Sequence, residues 1–451
     1  MQSDLNNKIL LDSIKRLLRR DAVVRLKKIV NKSHAADMSV VFRSLSHSER
    51  LKLFDLLQDY EQKGLLFSEL EEDIFLDLVA GMKPDDIVRI FETMPTDDVA
   101  DLLGKMPEEH ADAVLARMKR EGSDELEGLL RYEDDSAGGI MVPDFIALTQ
   151  ETTAKDAIAS LQKEYLDVEM PFYLYVVDEY GKLVGVSSLR QLVVVPPETS
   201  LKDFMTTDVF SVRTDMDQEE VAKLVARYDI LAVPVVDETN RLVGIVTVDD
   251  VIDIFRKEAT EDILKMAGAG EEFVETKSIF KSMKIRLPWL FASCLGGILA
   301  FFIIDQFESS LSKYIYLAAF IPVIMGMGGN IGTQSSTIVV RGLATGRLSI
   351  REFWQVIAKE LSVGFILGLV YGVLIGSVAQ FRYRMELLAL SVGIAVVSSM
   401  ALAALVGSLV PMVFARLNID PAVATGPFVT TAMDIISIVL YLVIATLLLG
   451  Y

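Results

Sequence analysis

Cysteine and histidine are nearly missing from this sequence. The 451 residues hold one cysteine, Cys294, and three histidines, His34, His47 and His110. A lone cysteine excludes a disulfide framework and a thiolate metal site. The histidines have no ligand-like spacing, so ordinary helix surfaces are where they are expected. No Gly-x-x-x-x-Gly-Lys-Ser/Thr phosphate loop occurs, so the chain is not its own ATPase. The N-terminal stretch is polar and charged, without the apolar core and small-residue cleavage site of a signal peptide. Positive charge is also scarce. Against 63 Asp and Glu stand 44 Lys and Arg, a net charge of −19, which argues against a nucleic-acid partner and for cations.

That charge is unevenly held. From Arg286 onward nine Lys/Arg face seven Asp/Glu, a balance of +2, so residues 1–285 carry −21. An acidic module is therefore joined to a nearly neutral one. The neutral module contains five apolar runs long enough to cross a bilayer, at approximately 287–304, 314–340, 361–381, 387–414 and 423–449. The second holds a glycine cluster and is where a break in the helix is expected. With the acidic module in the cytosol, the segments on its side hold nine Lys/Arg, against Lys313, Arg382 and Arg384 opposite. That bias predicts a cytosolic N-terminus and an external C-terminus.

One carboxylate, Asp434, lies inside the last run, and the charge-free stretch after it offers no basic partner. An unpaired acid at bilayer depth costs at least a few kcal/mol, so it is either a transport site or a structural acid bonded to a neighbouring helix. A helix starting near Ala424 would carry Asp434 about 15 Å in, close to the midplane. Thr430, Asp434, Ser437 and Tyr441 share a helical face, a polar stripe suited to a pore wall. Asp420, before Pro421, reads equally as the cytosolic mouth or as a plain helix cap. In the second run, Gly326, Gly328, Gly329 and Gly332 surround Asn330, Thr333 and Gln334. Small-residue helix packing and irregular backbone lining a water-filled path both fit this cluster.

Residues 1–135 read as short helices. Pro84, Pro95 and Pro107 each precede acidic residues, a helix-start signal, with apolar residues between them forming the inner face of a small superhelix. Residues 176–192 match 235–251 at a constant offset of 59. Each copy reads helix, strand, turn, strand, then a helix capped by Ser188 or Thr247. This resembles a tandem pair of CBS domains. The helix after Thr247 carries Asp250, Asp253, Glu258, Glu261 and Asp262, with Ile252, Phe255, Ala259, Ile263 and Met266 as an apolar stripe. A solvated acidic face explains such a run without any ion, but clustered carboxylates also suit a hard divalent cation.

Domain order and motifs together resemble the MgtE family of magnesium channels. The most specific parts are the Gly-Gly-Asn-Ile-Gly-Thr-Gln run at 328–334 and the segment from Asp420-Pro to Thr-Thr-Ala-Met-Asp434. The fold implied is multi-domain: an all-α superhelical N domain (1–135), an α/β tandem CBS pair (136–199 and 200–255), a long connecting or plug helix (256–284) and an α-helical transmembrane bundle of five helices (285–451). The resemblance implies a non-enzymatic homodimer in the cytoplasmic membrane, with one pore lined by the second and fifth spans. Asp434 would hold Mg²⁺ there, with Asn330, Thr430 and Gly426 lining the path and Asp420 at its mouth. The family's cytosolic magnesium sites map onto Asp217, Glu219, Asp229, Asp250, Asp253, Glu258, Glu261 and Asp262, with Asp97 and Asp101 from the N domain. The mechanism implied is negative feedback, in which high internal Mg²⁺ bridges these acids and holds the pore shut. Some CBS pairs bind adenine nucleotides through a Thr-x-x-Asp turn. Thr247 to Asp250 fits it and Ser188 to Gln191 does not, so ATP is allowed in one copy and would compete with Mg²⁺ for Asp250.

Three other readings fit some of these features. An ATP-driven transporter subunit would use its CBS pair as a sensor. An ion-coupled secondary carrier for Mg²⁺ or another divalent cation such as Co²⁺ would use Asp434 as its coupling acid. A membrane-tethered magnesium sensor would not need Asp434 at all.

Overall fold

The computed structural model describes residues 2–164, 172–269 and 279–449, which form two compact units divided between Phe255 and Arg256. In the first unit, short helices run from Gln2 to Leu129 and stack so that each packs on the next but one. The prolines act as expected. Pro84 opens the helix Pro84–Phe91, and Pro95 and Pro107 stand immediately before Thr96–Lys105 and Glu108–Leu115. A proline costs nothing there because its missing N–H would be unbonded anyway. Inward residues such as Phe42, Phe67, Phe75 and Phe91 are fully or almost fully buried. They share one core with Val212, Val221, Val235 and Val251 of the following domain.

That following domain is a pair of three-stranded sheets. The first is β1 (Ala147–Thr149), β2 (Tyr173–Val177) and β3 (Leu183–Ser188), and the second is β4 (Val212–Arg213), β5 (Ala232–Val236) and β6 (Leu242–Thr247). In each, the first pair is parallel and the second antiparallel. The offset of 59 is visible in the hydrogen bonds between copies: Leu183 N–H donates to Asn240 O, and Leu242 N–H to Gly181 O. Ser188 caps Leu189–Val194 with a reciprocal bond from Gln191, and Thr247 precedes Val248–Met266.

Helix Val248–Met266 departs from the expected connecting helix. It begins inside the second copy and ends at Met266, with Gly268 in the left-handed region at φ +72°. Of the rest of the expected 256–284 helix, 270–278 lie outside the described residues and 279–284 open the helix Ile279–Gln306. Its apolar stripe is not core either. Val251 and Ile254 are buried, whereas Ile252 and Ile263 are 56% and 63% exposed.

Among the described residues, five helices of the second unit are long and apolar enough to cross a membrane: Ile279–Gln306, Ile315–Ala344, Ile350–Tyr383, Glu386–Arg416 and Pro427–Leu449. The second, fourth and fifth form the packed centre, with the third against the fourth and the first against the fifth. Outward residues such as Phe365, Val373, Leu374 and Phe381 are exposed, as lipid-facing positions should be. The expected break in the glycine cluster is absent: Ile321–Ala344 is one helix, and the irregular turn is upstream at Ile315–Phe320. Gly328 and Gly332 provide close packing, whereas Gly326 faces open space. A Cβ on Gly332 would lie 3.1 Å from Met433 and 3.2 Å from Val429, and one on Gly407 of the fourth span would collide with the Gly332 carbonyl.

Candidate functional site

The fifth span starts later than the sequence suggests. Asp420 caps a short turn, Pro421–Ala424, and Gly426 turns the chain at φ +54° before the helix begins at Pro427. Asp434 therefore lies about 10 Å along a helix of 23 residues, about a third of its length rather than the middle. The polar stripe also divides. Ser437 is buried against Ser399 at 2.6 Å, and Tyr441 donates to the Leu317 carbonyl at 2.9 Å, so both are packing contacts between helices.

Thr430 and Asp434 remain open. They border a cavity of about 380 Å³ with Ser293, Gly297, Met325 and Thr431. Gly329 stands beside them, where a Cβ would lie at ordinary contact distance, 3.6 Å, from Asp434 Oδ1 and Thr430. Thr430 is held by Thr333 at 3.3 Å and by the Gly426 carbonyl at 2.9 Å. No ion pair or hydrogen bond engages Asp434 among the described residues. A carboxylate so placed is an acceptor awaiting a cation or water. Asn330 is not on this cavity. It lies with Gly326, Gln334 and Thr337 on a side of the second span that is exposed among the described residues.

A second constellation lies within the first unit. A cavity of about 680 Å³ is lined by Asp97 and Asp98 from the start of one N-domain helix and by Asp249, Asp250 and Asp253 from the helix after Thr247. Burial pushes Asp98 above its ordinary range, with Asp249 adding to the effect and a 2.6 Å bond from Ser68 opposing it. Burial likewise pushes Asp250 up to about 6, with Asp249 and Asp98 adding and Thr247, which bonds its carboxylate, opposing. Like charges held together out of water favour a bound cation or a proton. His34, expected on a plain surface, also lines this cavity and caps a helix by accepting from Ala36 N–H.

Asp98 and Asp249 were legible as partners of Asp97 and Asp250, because both acidic pairs occupy the first turn of a helix. Asp101, by contrast, is exposed and outside the lining. Asp217, Glu219 and Asp229 are not gathered. Asp217 caps the helix Gln218–Tyr228, Glu219 pairs with Lys223 at 2.8 Å, and Asp229 ends the same helix at φ 54°. Eleven helical residues, about 16 Å, separate Asp217 from Asp229.

In the second unit, Glu258, Glu261 and Asp262 are half-buried along Val248–Met266. Glu261 and Asp420 both meet Lys265, a residue without an assigned part in the sequence. Gly426 is required where it stands, because a Cβ would strike the Met266 carbonyl. Among the described residues no three or more His, Cys, Asp or Glu side chains gather tightly enough to hold an ion by themselves.

Comparison with known proteins adds three findings. Residues 321–444 match the divalent cation transporter model MgtE, 33–135 the MgtE intracellular N domain, and 137–198 and 201–257 CBS domains. The chain is 42% identical over 328 residues to the magnesium transporter MgtE of Thermus thermophilus, covering 72% of each chain. It is 40% identical over 420 residues to that of Enterococcus faecalis, covering 93% of this chain and 92% of the other. Among solved structures, the cytosolic domain of the Mg²⁺ channel MgtE in complex with ATP is similar with a TM-score of 0.52 and 35% identity, over 54% of this chain and 99% of that one.

Proposed function

The chain belongs to the MgtE family, and from that membership we propose that it is a Mg²⁺-selective channel, closed by cytosolic Mg²⁺. The observation that carries the proposal is Asp434, an unengaged carboxylate on a cavity between apolar spans, beside Thr430. Mg²⁺ sheds its water reluctantly and prefers oxygen ligands. A single carboxylate and a hydroxyl in a roomy cavity suit an ion that keeps most of its shell.

A homodimer is supported by the uncovered side of the second span. Gly326, Asn330, Gln334 and Thr337 are exposed there, and lipid tails cannot satisfy their polar groups. A second copy across a shared water path can. The uncovered Ile252 and Ile263 of the helix after Thr247 ask for a partner as well. The bias of nine cytosolic Lys/Arg against three supports a cytosolic N-terminus and an external C-terminus.

Closure by Mg²⁺ is supported by the acidic cavity of the first unit. Asp97, Asp98, Asp249, Asp250 and Asp253 line one cavity, and burial raises Asp98 and Asp250 at a cost that a divalent cation would relieve. A cation that binds the gathered state better than the separated one shifts the balance toward it. Glu261 and Asp420 supply further carboxylates at the entrance of the fifth span, and Glu258 and Asp262 lie on the same helix as Glu261. Asp217, Glu219 and Asp229 would act only by meeting other acids. ATP at the CBS pair fits the solved relative that carries it, although the acids around Asp250 oppose a triphosphate in that cavity.

The test is Mg²⁺ flux into proteoliposomes at clamped voltage. Uptake should proceed without a proton or sodium gradient and stop as internal Mg²⁺ rises. Dependence on either gradient would make the protein a coupled carrier, and indifference to internal Mg²⁺ would remove the gate.

A further inference from the structure

The described part of the connecting helix ends against the entrance of the fifth span, and both belong to the second unit. Gly268 and Pro427 are so close that a Cβ on Gly268 would sit 2.8 Å from the proline ring, and the Met266 carbonyl leaves no room for a side chain at Gly426. Beside this backbone seam stands Lys265. Its ammonium is 2.7 Å from Asp420 Oδ2 and also bonds Glu261 Oε1, one turn earlier on its own helix. The other oxygen of Asp420 accepts the Ala422 N–H at 2.8 Å, which fixes the carboxylate toward the seam.

The three side chains are about 30% exposed: 30% for Lys265, 27% for Glu261 and 37% for Asp420. Fully solvated ion pairs contribute little, whereas these are sheltered enough for the charges to matter. Paired with two carboxylates, the ammonium is a cation at neutral pH. Without it, two acids would meet across the seam and repel.

We infer that Lys265 is a tethered cation that holds the end of the connecting helix on the entrance of the fifth span without a metal ion. It is a positioning residue, acting through Glu261 and Asp420, and the inference rests on the reading that this helix closes the path. One ammonium against two carboxylates leaves a net charge of −1, so Mg²⁺ still adds to a closure that Lys265 has begun. The protein would then keep part of its closure when internal Mg²⁺ is removed.

The experiment measures Mg²⁺ flux in proteoliposomes of full-length wild type, Lys265→Met and Lys265→Arg, with internal Mg²⁺ stepped upward from a chelated baseline. Lys265→Met should raise flux at the baseline by roughly fivefold, the scale of a partly sheltered ion pair, and should need more Mg²⁺ to close. Lys265→Arg should behave as wild type, because guanidinium replaces the charge. Closure of Lys265→Met at higher internal Mg²⁺ reports that its gate is still folded, whereas flux that no Mg²⁺ concentration closes would overturn the inference. Equal baselines in wild type and Lys265→Met, a loss of flux in Lys265→Met, or the same shift in both variants would overturn the inference. If wild type does not respond to internal Mg²⁺, it is the gating reading that falls.

Discussion

Neutralising Asp250 should stabilise the first unit when Mg²⁺ is absent. The carboxylate is partly buried, bonded by Thr247, and faces Asp98 and Asp249. Its pKa is pushed from 3.8 up to about 6. A shift of that size corresponds to about 3 kcal/mol by which the ionised form is disfavoured in the folded state. Solvent reaches part of the side chain and screens it, so ~1–3 kcal/mol is the working range. Asp250→Asn keeps an acceptor for Thr247 and removes the charge. Hydrogen exchange of the backbone amides of helix Val248–Met266, in full-length protein with chelator present, should slow by about 5- to 150-fold where exchange reports opening of this unit. Adding Mg²⁺ should then protect the variant less than wild type, since a ligand for the cation is gone. Faster exchange in Asp250→Asn without Mg²⁺ would refute the claim that burial, with repulsion added, disfavours the ionised carboxylate in this cavity.

Other consequences rest on the same geometry. Asp250 has a folded pKa above its unfolded value, so the folded state binds the proton more tightly, and stability without Mg²⁺ should fall as pH rises from about 4 through about 6. With Mg²⁺ the effect reverses in use. The ionised fraction of Asp250 is roughly four times larger at pH 7.5 than at pH 5.5, so Mg²⁺ protection of the first unit should be weaker at the acid end; equal protection at both would contradict it. Gly407→Ala places a methyl against the Gly332 carbonyl, and should cost about 1–3 kcal/mol by forcing the second and fourth spans apart. Thermal unfolding in detergent would show a lower midpoint, and an unchanged midpoint would mean the two helices slide apart freely.

Much of this architecture was legible from composition and period. Five apolar runs separated from an acidic half gave the spans, and the offset of 59 gave the duplicated sheets, because both signals repeat over many residues. Ends of elements were harder to place. The dipeptide Gly426-Pro427 is itself a turn followed by a helix start, whereas the reason for a glycine there, the Met266 carbonyl beside it, comes from a residue 160 positions away. The glycine cluster was ambiguous for a similar reason: close packing and broken backbone both require small residues, and only the neighbours Val429, Met433 and Gly407 show which applies. Helical spacing correctly placed Thr430, Asp434, Ser437 and Tyr441 on one side, yet spacing is silent on what that side meets. Ser399 and Leu317 bury its later half. Lys265 escaped notice because its partner Asp420 is 155 residues away.

The central claim is that Asp434 handles the transported ion while the cytosolic acids decide when it does so. Mg²⁺ flux through wild type and Asp434→Asn across a range of internal Mg²⁺ tests both parts at once. Asp434→Asn should lose flux or selectivity for Mg²⁺ at every internal concentration, while the Mg²⁺-dependent protection of helix Val248–Met266 persists. Wild-type flux and selectivity in Asp434→Asn would contradict the account.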